Sequence, residues 1–453
     1  MPKTSLIGIA LALSFLLFSS PLLAEPSNAV SEAGEIAELE QRSQEAFESE
    51  KWSSVYVSNL KLHELRPGEL QYLVNVVRAC GMLDRKTTAY HFMLQIQQQG
   101  MSFNFNHVAE TEQIRGTEAY EYINGMLVKA GQPSGIGMPV FTLQGSPANF
   151  SSIAWDPGRK KFLVGTMDKG GIFTVSDTGE TQVLVEAINA NGWWSVTGLA
   201  VDSARNRLWA VSTASPAFTE EGSQAGNRAG LLEFDLASME LLARFDVPGD
   251  GLKHDLGSVA VTDDGTVYVV NHAAPVIYRK APDSSVLTAF FSSPELRQLS
   301  DIAVTEDNSR IFVSDVVKGV LVIDPVAEQA AFLSGPETMN MAGATGLEYR
   351  QGQLFVVQGE FTPPRVVRLD LDGVKGTIVE AVSPMAIALE EFNRPGVGAI
   401  RGEELFYFAN TGQADAGGAI VVSTPLDSGS EVAPPDMSQF EEALRSRAQQ
   451  KEE

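Results

Sequence analysis

A phrase of three short β-strands recurs along the larger part of this chain, and few folds can accommodate it. Its clearest copy is LSDIAVTEDNSRIFVSDVVKGVLVID, residues 299–324. Residues 302–304, 311–313 and 320–323 are runs of β-branched and aromatic side chains, separated by polar or glycine-containing turns. Related phrases are SSIAWDPGRKKFLVGTMDKGGIFTV, TGLAVDSARNRLWAVSTA, GSVAVTDDGTVYVVNHAAPVIYR, TGLEYRQGQLFVVQGEFTPPRVVRLD and GVGAIRGEELFYFANTGQ. Anchored on Ile153, Leu199, Val259, Ile302, Leu347 and Val397, they lie roughly 43 to 60 residues apart. Strand repeats of this period fold into a β-propeller, and six phrases imply six blades. A propeller must close its ring. The lone strand MPVFTL, Met138–Leu143, precedes the first phrase and is expected to pair with the last blade, about 397–426.

The residues before the propeller have a helical period. Ile36, Leu39, Ala46 and Phe47 mark a first helix; Val57, Leu60 and Leu65 a second, ended by Pro67; and Leu70, Leu73, Val74 and Val77 a third. Asp84 is the expected N-cap of a fourth helix carrying Ala89, Met93 and Ile96, and Thr117 that of a fifth with Tyr120, Ile123 and Leu127. The stretch from Trp52 to Gly100, with its LRPGE and GMLDRKTTA junctions, resembles tetratricopeptide repeats over about one and a half repeats. The expected fold is therefore mixed: an all-β six-bladed β-propeller preceded by a small all-α helical-hairpin domain.

Residues 1–24 read as a secretory signal peptide: Lys3, an apolar run over 6–18, and Ala24 before the cleavage point. The apolar run is too short to span a membrane comfortably. Periplasmic or secreted localisation follows, with no stable membrane insertion after cleavage. Cys80 is the single cysteine, has no disulfide partner, and is expected to pack in a helix. The expected domains are the signal peptide at 1–24, a helical domain at 25–135, the propeller at 136–428 and a polar tail at 429–453. Residues 25–32 and 131–137 read as linkers, and Thr213–Gly230 as the longest insertion between blade strands. A net charge of −24 argues against a nucleic-acid partner and against docking on an anionic membrane.

The propeller phrases, LAVDSARNRLWAVSTA, GLLEFDLASMELLARFDVP, VAVTDDGTVYVVNHAAPVIYR and IAVTEDNSRIFVSDVVKGVLVID, resemble the gluconolactonase/regucalcin-like superfamily of six-bladed propellers. That resemblance implies a calcium ion at the channel mouth, held by a Glu, Asn residues and an Asp just before the innermost strands. In this chain those positions fall on Ser151, Gly257, Ser300 and Thr345, and a one-residue shift in register would offer Asp301 instead of Ser300. Four small neutral groups do not replace the anionic oxygens calcium needs, so no metal and no cofactor are expected.

Other polar residues gather on the rim where innermost strands begin and their neighbours end. His254 and Asp255 precede the third innermost strand, Asn271 and His272 end its partner, and Asp315 ends the partner in blade four. Glu360 and Asn410 lie near the same level, and Trp193 and Trp194 precede the second innermost strand. The candidate binding residues are His254, Asp255, Asn271, His272, Asp301, Asp315 and Trp194, with His254 and His272 as potential acid/base groups. No nucleophile elbow, zinc motif or phosphate loop is present. Asp370–Gly373 and Asp263–Gly265 read as β-turns. These features predict a non-catalytic exported protein whose propeller binds a small molecule or a protein partner. The alternative is a lactone or ester hydrolase with an atypical or lost metal site.

Overall fold

The computed structural model describes residues 27–146, 149–168, 170–186, 195–214, 228–249, 251–373, 376–412 and 417–429. The signal peptide, Trp193 and Trp194, most of the Thr213–Gly230 insertion and the tail beyond residue 429 lie outside them. Helices α1 (Ser27–Glu48), α2 (Trp52–Leu65), α3 (Leu70–Met82), α4 (Lys86–Gln98) and α5 (Glu118–Ala130) form the N-terminal part, with two 3-10 segments between α4 and α5. Leu73, Val74, Val77, Ala89, Met93, Ile96, Tyr120, Ile123 and Leu127 are all buried, so the apolar periodicity of α3, α4 and α5 faces one core. Cys80 sits in that core, and burial pushes its thiol up to about 11, which leaves it unreactive at neutral pH. None of the described helices is long and apolar enough to cross a membrane.

Three local expectations change. Helix α1 begins at Ser27, inside the stretch expected to be a linker. Asp84 is not the cap of α4: it adopts a left-handed φ of 53° in the turn that ends α3, and Arg85 occupies the cap position. Val57 is 64% exposed, and α2 instead buries Val55, Ser58, Asn59 and Leu62. The apolar pattern misses this face because a polar residue anchors it: Asn59 Nδ2 donates to Ser43 Oγ at 2.6 Å and to the Val55 carbonyl at 2.8 Å. Thr117 does cap α5, accepting the Tyr120 amide at 3.1 Å.

The rest of the described chain is a six-bladed propeller of antiparallel sheets. The innermost strands are Phe150–Asp156, Ser195–Asp202, Leu256–Val261, Leu299–Val304, Gly346–Arg350 and Gly398–Arg401 for blades 1 to 6. The apolar core is a ring of six seams. Each buries one face of a blade against the next, as in Ala154, Leu163, Leu199 and Leu208 between blades 1 and 2. Met138–Leu143 pairs antiparallel with Ala419–Pro425, from Met138 opposite Ser423 to Leu143 opposite Ala419, and so completes blade 6. Phe141 and Leu143 from this strand lie in the seam between blades 6 and 1. The 131–137 stretch is more than a linker, because Ser134 and Gly135 pair with Ile387 and Ala386 on the outer edge of blade 5.

The helices dock on the rim where the innermost strands begin, over blades 4 and 5. Phe361, from the blade 5 rim, is buried in the helical core. Arg365 is buried beside it, with its guanidinium carbon 3.9 Å from the Phe361 ring centroid. Its nitrogens donate to Gln358 Oε1 at 2.6 Å, the Asn340 carbonyl at 3.1 Å and the Gln99 carbonyl of the helical part at 3.3 Å. Burial pulls its pKa down to about 9, and these acceptors hold the charge at neutral pH. Gly68, between α2 and α3, touches the same rim so closely that a Cβ would lie 2.0 Å from Ala342 Cβ. Lys318 reaches Glu32 Oε1 of α1 at 3.0 Å, and Arg297 pairs with the same carboxylate.

Deletion of Met138–Leu143 is expected to abolish the cooperative melting of the propeller, because it removes both a blade strand and two seam residues. A calorimetric transition unchanged by the deletion would contradict this closure. Arg365→Met keeps the apolar stem but loses all three donors. It is expected to cost about 1.5–3 kcal/mol and to make the 131–137 segment cleavable in limited proteolysis.

Candidate functional site

The rim is built by a bulge. In blades 1 to 4 the pairing of the innermost strand with its neighbour shifts register near its start, between Phe150 and Ser152, Val196 and Gly198, Leu256 and Val259, and Leu299 and Ile302. An extra residue there re-aims a side chain toward the adjoining blade. Ser151 Oγ donates to the Val196 carbonyl at 2.7 Å, and Thr197 Oγ1 to the Leu256 carbonyl at 2.6 Å. Ser258 Oγ donates to the Asp301 carboxylate, Ser300 Oγ to the Thr345 carbonyl at 3.5 Å, and Thr345 Oγ1 to the Pro395 carbonyl at 2.8 Å. The hydroxyls therefore form a belt that ties each blade to its successor from blade 1 to the approach to blade 6.

Three of the four positions that the superfamily resemblance assigned to calcium, Ser151, Ser300 and Thr345, belong to this belt. Their hydroxyls donate to main-chain carbonyls and carry no charge. The fourth, Gly257, lies under the His272 ring: a Cβ there would sit 1.8 Å from His272 Cε1. The donor set does not fit a calcium ion, which takes six to eight oxygens, several of them anionic. Among the described residues no three His, Cys, Asp or Glu side chains converge to hold a metal.

A second tier of polar residues ends the second strands and holds the rim loops. Asn271 is fully buried, accepts the Asp255 and Ala273 amides at 3.0 and 3.1 Å, and donates to the Lys253 carbonyl at 3.0 Å. Asp255 enters this arrangement through its main chain, since its carbonyl also accepts the His272 amide at 2.8 Å. Asp315 is fully buried and accepts the amides of Arg297, Gln298, Val317 and Lys318. Gln358 and Asn410 hold the corresponding loops of blades 5 and 6.

The two histidines face different spaces. His254 is buried, with Nδ1 3.3 Å from Tyr278 Oη. It lines a cleft of about 470 Å³ beside blade 2, with Arg228, Arg244 and Asp246 among its walls. His272 is exposed, and its Nε2 lies 2.7 Å from the Ser300 carbonyl. That bond fixes Nε2 as the donor and leaves Nδ1 as an acceptor when the ring is neutral. Asp301, beside it, accepts the Ser258 hydroxyl, its own neighbour's amide at Ile302 (2.9 Å) and the Leu347 amide of blade 5 (2.7 Å). Burial pushes its carboxyl above the ordinary range, against the opposing pull of those donors and of His272.

The central channel holds a residue that motif reading passed over. A cavity of about 420 Å³ is lined by the middle residues of all six innermost strands. Matching pairing registers place Ala154, Ala200, Ala260, Ala303 and Ala399 at one position of five strands and Glu348 at that position in blade 5. Opposite them on the second strands stand Leu163, Trp209, Tyr268, Phe312, Phe355 and Phe406. Blades converge toward the axis, so the inner strand takes a small side chain and the next strand a large one. Glu348 breaks that rule. Burial, with a further contribution from the Asp301 charge, pushes its carboxyl well above the usual carboxylate range. No hydrogen bond reaches its carboxyl from the described residues. The signal was present in the phrases, where IAW, LAV, VAV, IAV and GAI have LEY as their only acidic counterpart. In the sixth phrase the register equivalent of Leu347 is Gly398, one residue beyond the expected anchor Val397.

No protein-family model and no curated protein matches the sequence. Among solved structures, a PQQ-bound aldose sugar dehydrogenase from Streptomyces coelicolor is 18% identical, with a TM-score of 0.45 over 65% of this chain and 99% of that one. A gluconolactonase from Xanthomonas campestris is 14% identical, with a TM-score of 0.43 over 66% of this chain and 91% of that one. Virginiamycin B lyase from Staphylococcus aureus is 13% identical, with a TM-score of 0.42 over 61% of this chain and 82% of that one. Identities this low say nothing about shared chemistry.

Asp301→Ala is expected to destabilise the protein by about 3 kcal/mol, because it strands the buried Ile302 and Leu347 amides of blades 4 and 5 and the half-buried Ser258 hydroxyl of blade 3 at once. Chemical denaturation of the variant checks this, and a loss within the error of the measurement would show that the three donors find other acceptors.

Proposed function

We propose that this protein is an exported, non-catalytic binding protein in which the propeller takes a small ligand and the docked helices offer a second contact surface. The observation that carries the reading is the hydroxyl belt. The positions that would have to supply anionic metal ligands are neutral and committed to main-chain carbonyls of the adjoining blade. Asn271 and Asp315 likewise serve rim loops. What remains available for recognition is the central cavity, the cleft beside His254 and the exposed His272. The helices, set on the same rim, add a surface of the kind that helical-hairpin arrays use for protein partners. Export rests on the signal-peptide character of residues 1–24.

A second reading, a lactone or ester hydrolase, is favoured by Glu348, a carboxyl in the central cavity that burial and the Asp301 charge push well above the usual carboxylate range, the direction a general acid needs. One preparation of the mature chain, from Glu25 onward, separates the two. Chelation with EDTA is expected to leave its melting temperature unchanged, and lactone or ester turnover is expected to be absent. A resident metal would stabilise the fold by binding only the native state, so a fall in melting temperature on chelation, restored by calcium, would overturn the binding-protein reading.

A further inference from the structure

We propose that the central channel binds a small organic ammonium ion, with Glu348 as its counter-ion. The proposal rests on the binding-protein reading above and names the ligand class of its central cavity. The cavity, about 420 Å³, has the volume of a small-molecule site. Its walls mix apolar and polar surface: Ile153, Leu199, Val259, Ile302 and Leu347 accompany the ring of five alanines, beside main-chain polar groups, Ser203, Tyr349 and Arg350. The aliphatic side chains suit the hydrocarbon part of a ligand. Each innermost strand is the edge of its sheet, so one side of its backbone has no strand partner and faces the axis. The carbonyls along those edges can accept the N–H groups of an ammonium that a single carboxylate leaves unsatisfied.

The sign of the charge follows from the acidic groups. Glu348 projects from a position that is alanine in the five other strands, and no described residue bonds its carboxyl. Asp301 adds a second negative group at the blade 4–5 junction. Arg350, the cation in the cavity lining, is paired with Glu403 at 2.6 Å and with the Gly402 carbonyl. An inorganic divalent ion would need more oxygen ligands than this cavity gathers from side chains. An ammonium on an apolar body needs one anion, a few carbonyls and an apolar wall. An ammonium beside Glu348 favours the ionised carboxyl that burial disfavours in the free protein, so the affinity should rise with pH until the ligand's own ammonium begins to lose its proton.

Alanine is the ring residue in the other blades, so Glu348→Ala fits the geometry and removes a half-buried acid. It should melt at or above the wild-type temperature while losing the ligand, the pattern expected when a residue is retained for binding at the expense of stability. The test is calorimetric titration of the mature chain with n-butylammonium chloride, with n-butanol and calcium chloride as controls, in two buffers of different ionisation enthalpy. The expected result is saturable binding of the amine with buffer-dependent heat, at least a tenfold loss of affinity in Glu348→Gln and Glu348→Ala, and no comparable binding of butanol or calcium. Equal amine binding by the wild type and both variants, equal binding of butanol, calcium binding in place of the amine, or no amine binding would overturn the proposal. If a neutral ligand then stabilised the wild type and Glu348→Gln alike, the ammonium assignment would fail and the binding-protein reading would stand. Lactone or ester turnover by the wild type would sink that reading instead.

Discussion

A blade cannot bury both its faces by itself, and that constraint governs this molecule. Each sheet has apolar side chains on two faces, so its stability depends on the next blade, and the last must meet the first. The six apolar seams are the direct expression of this requirement. Met138–Leu143 makes the closure non-local in sequence: a strand before blade 1 completes blade 6 and contributes Phe141 and Leu143 to the joining seam. Convergence at the axis adds a second requirement. Alanine on the inner strand opposite a large residue on the second satisfies it in five blades, and departures from that pattern stand out.

Much of this was legible in the sequence because it is periodic. The repeated strand phrase, the closing strand and the apolar faces of α3, α4 and α5 all follow from spacing and residue type. Elements governed by a single polar residue were less legible. The buried face of α2 turns on Asn59, and the start of α4 on the left-handed turn at Asp84; neither leaves a periodic trace. At the rim, sequence position marked His254, Asp255, Asn271, His272, Asp301 and Asp315 as a group, but only three-dimensional pairing shows what each one touches. Asn271 and Asp315 hold loops, Asp301 joins three blades, and the histidines face separate spaces. Glu348 was visible as an exception among five alanines, yet its meaning required the register that places all six residues on one ring.

Hydrogen bonds between blades explain how a propeller can keep its rim closed with small neutral groups at these positions. Ser151, Thr197, Ser258, Ser300 and Thr345 each reach the following blade or its approach. A hydroxyl is well suited to this work. It carries no charge to desolvate, and one donated bond satisfies its proton. Asp301 is the charged member, and three converging donors surround it because a buried carboxylate tolerates nothing less. The same chemistry that stitches the rim aims these side chains at the adjoining blade and leaves neutral oxygens where a calcium ion would need anionic ones.

The two ends of the channel are therefore unequal. At the rim where the innermost strands begin, the helices sit over blades 4 and 5, fixed by Phe361 in their core and by Arg365 between Gln358, Asn340 and Gln99. A buried guanidinium with neutral acceptors needs every one of them, so this contact resists sliding: a small displacement would leave donors unpaired in an apolar setting. The cavity around Glu348 extends toward the opposite rim, where Trp155, Pro157, Ser203, Tyr349 and Arg350 join its lining. Tyr349 stacks on Phe312 at 5.6 Å and accepts the Gly352 amide, and Arg350 is paired with Glu403, so those walls are held in place before any ligand arrives. Pre-formed walls around a carboxyl that no described residue bonds make the channel the part of this propeller where a ligand would bind with little reorganisation of the protein.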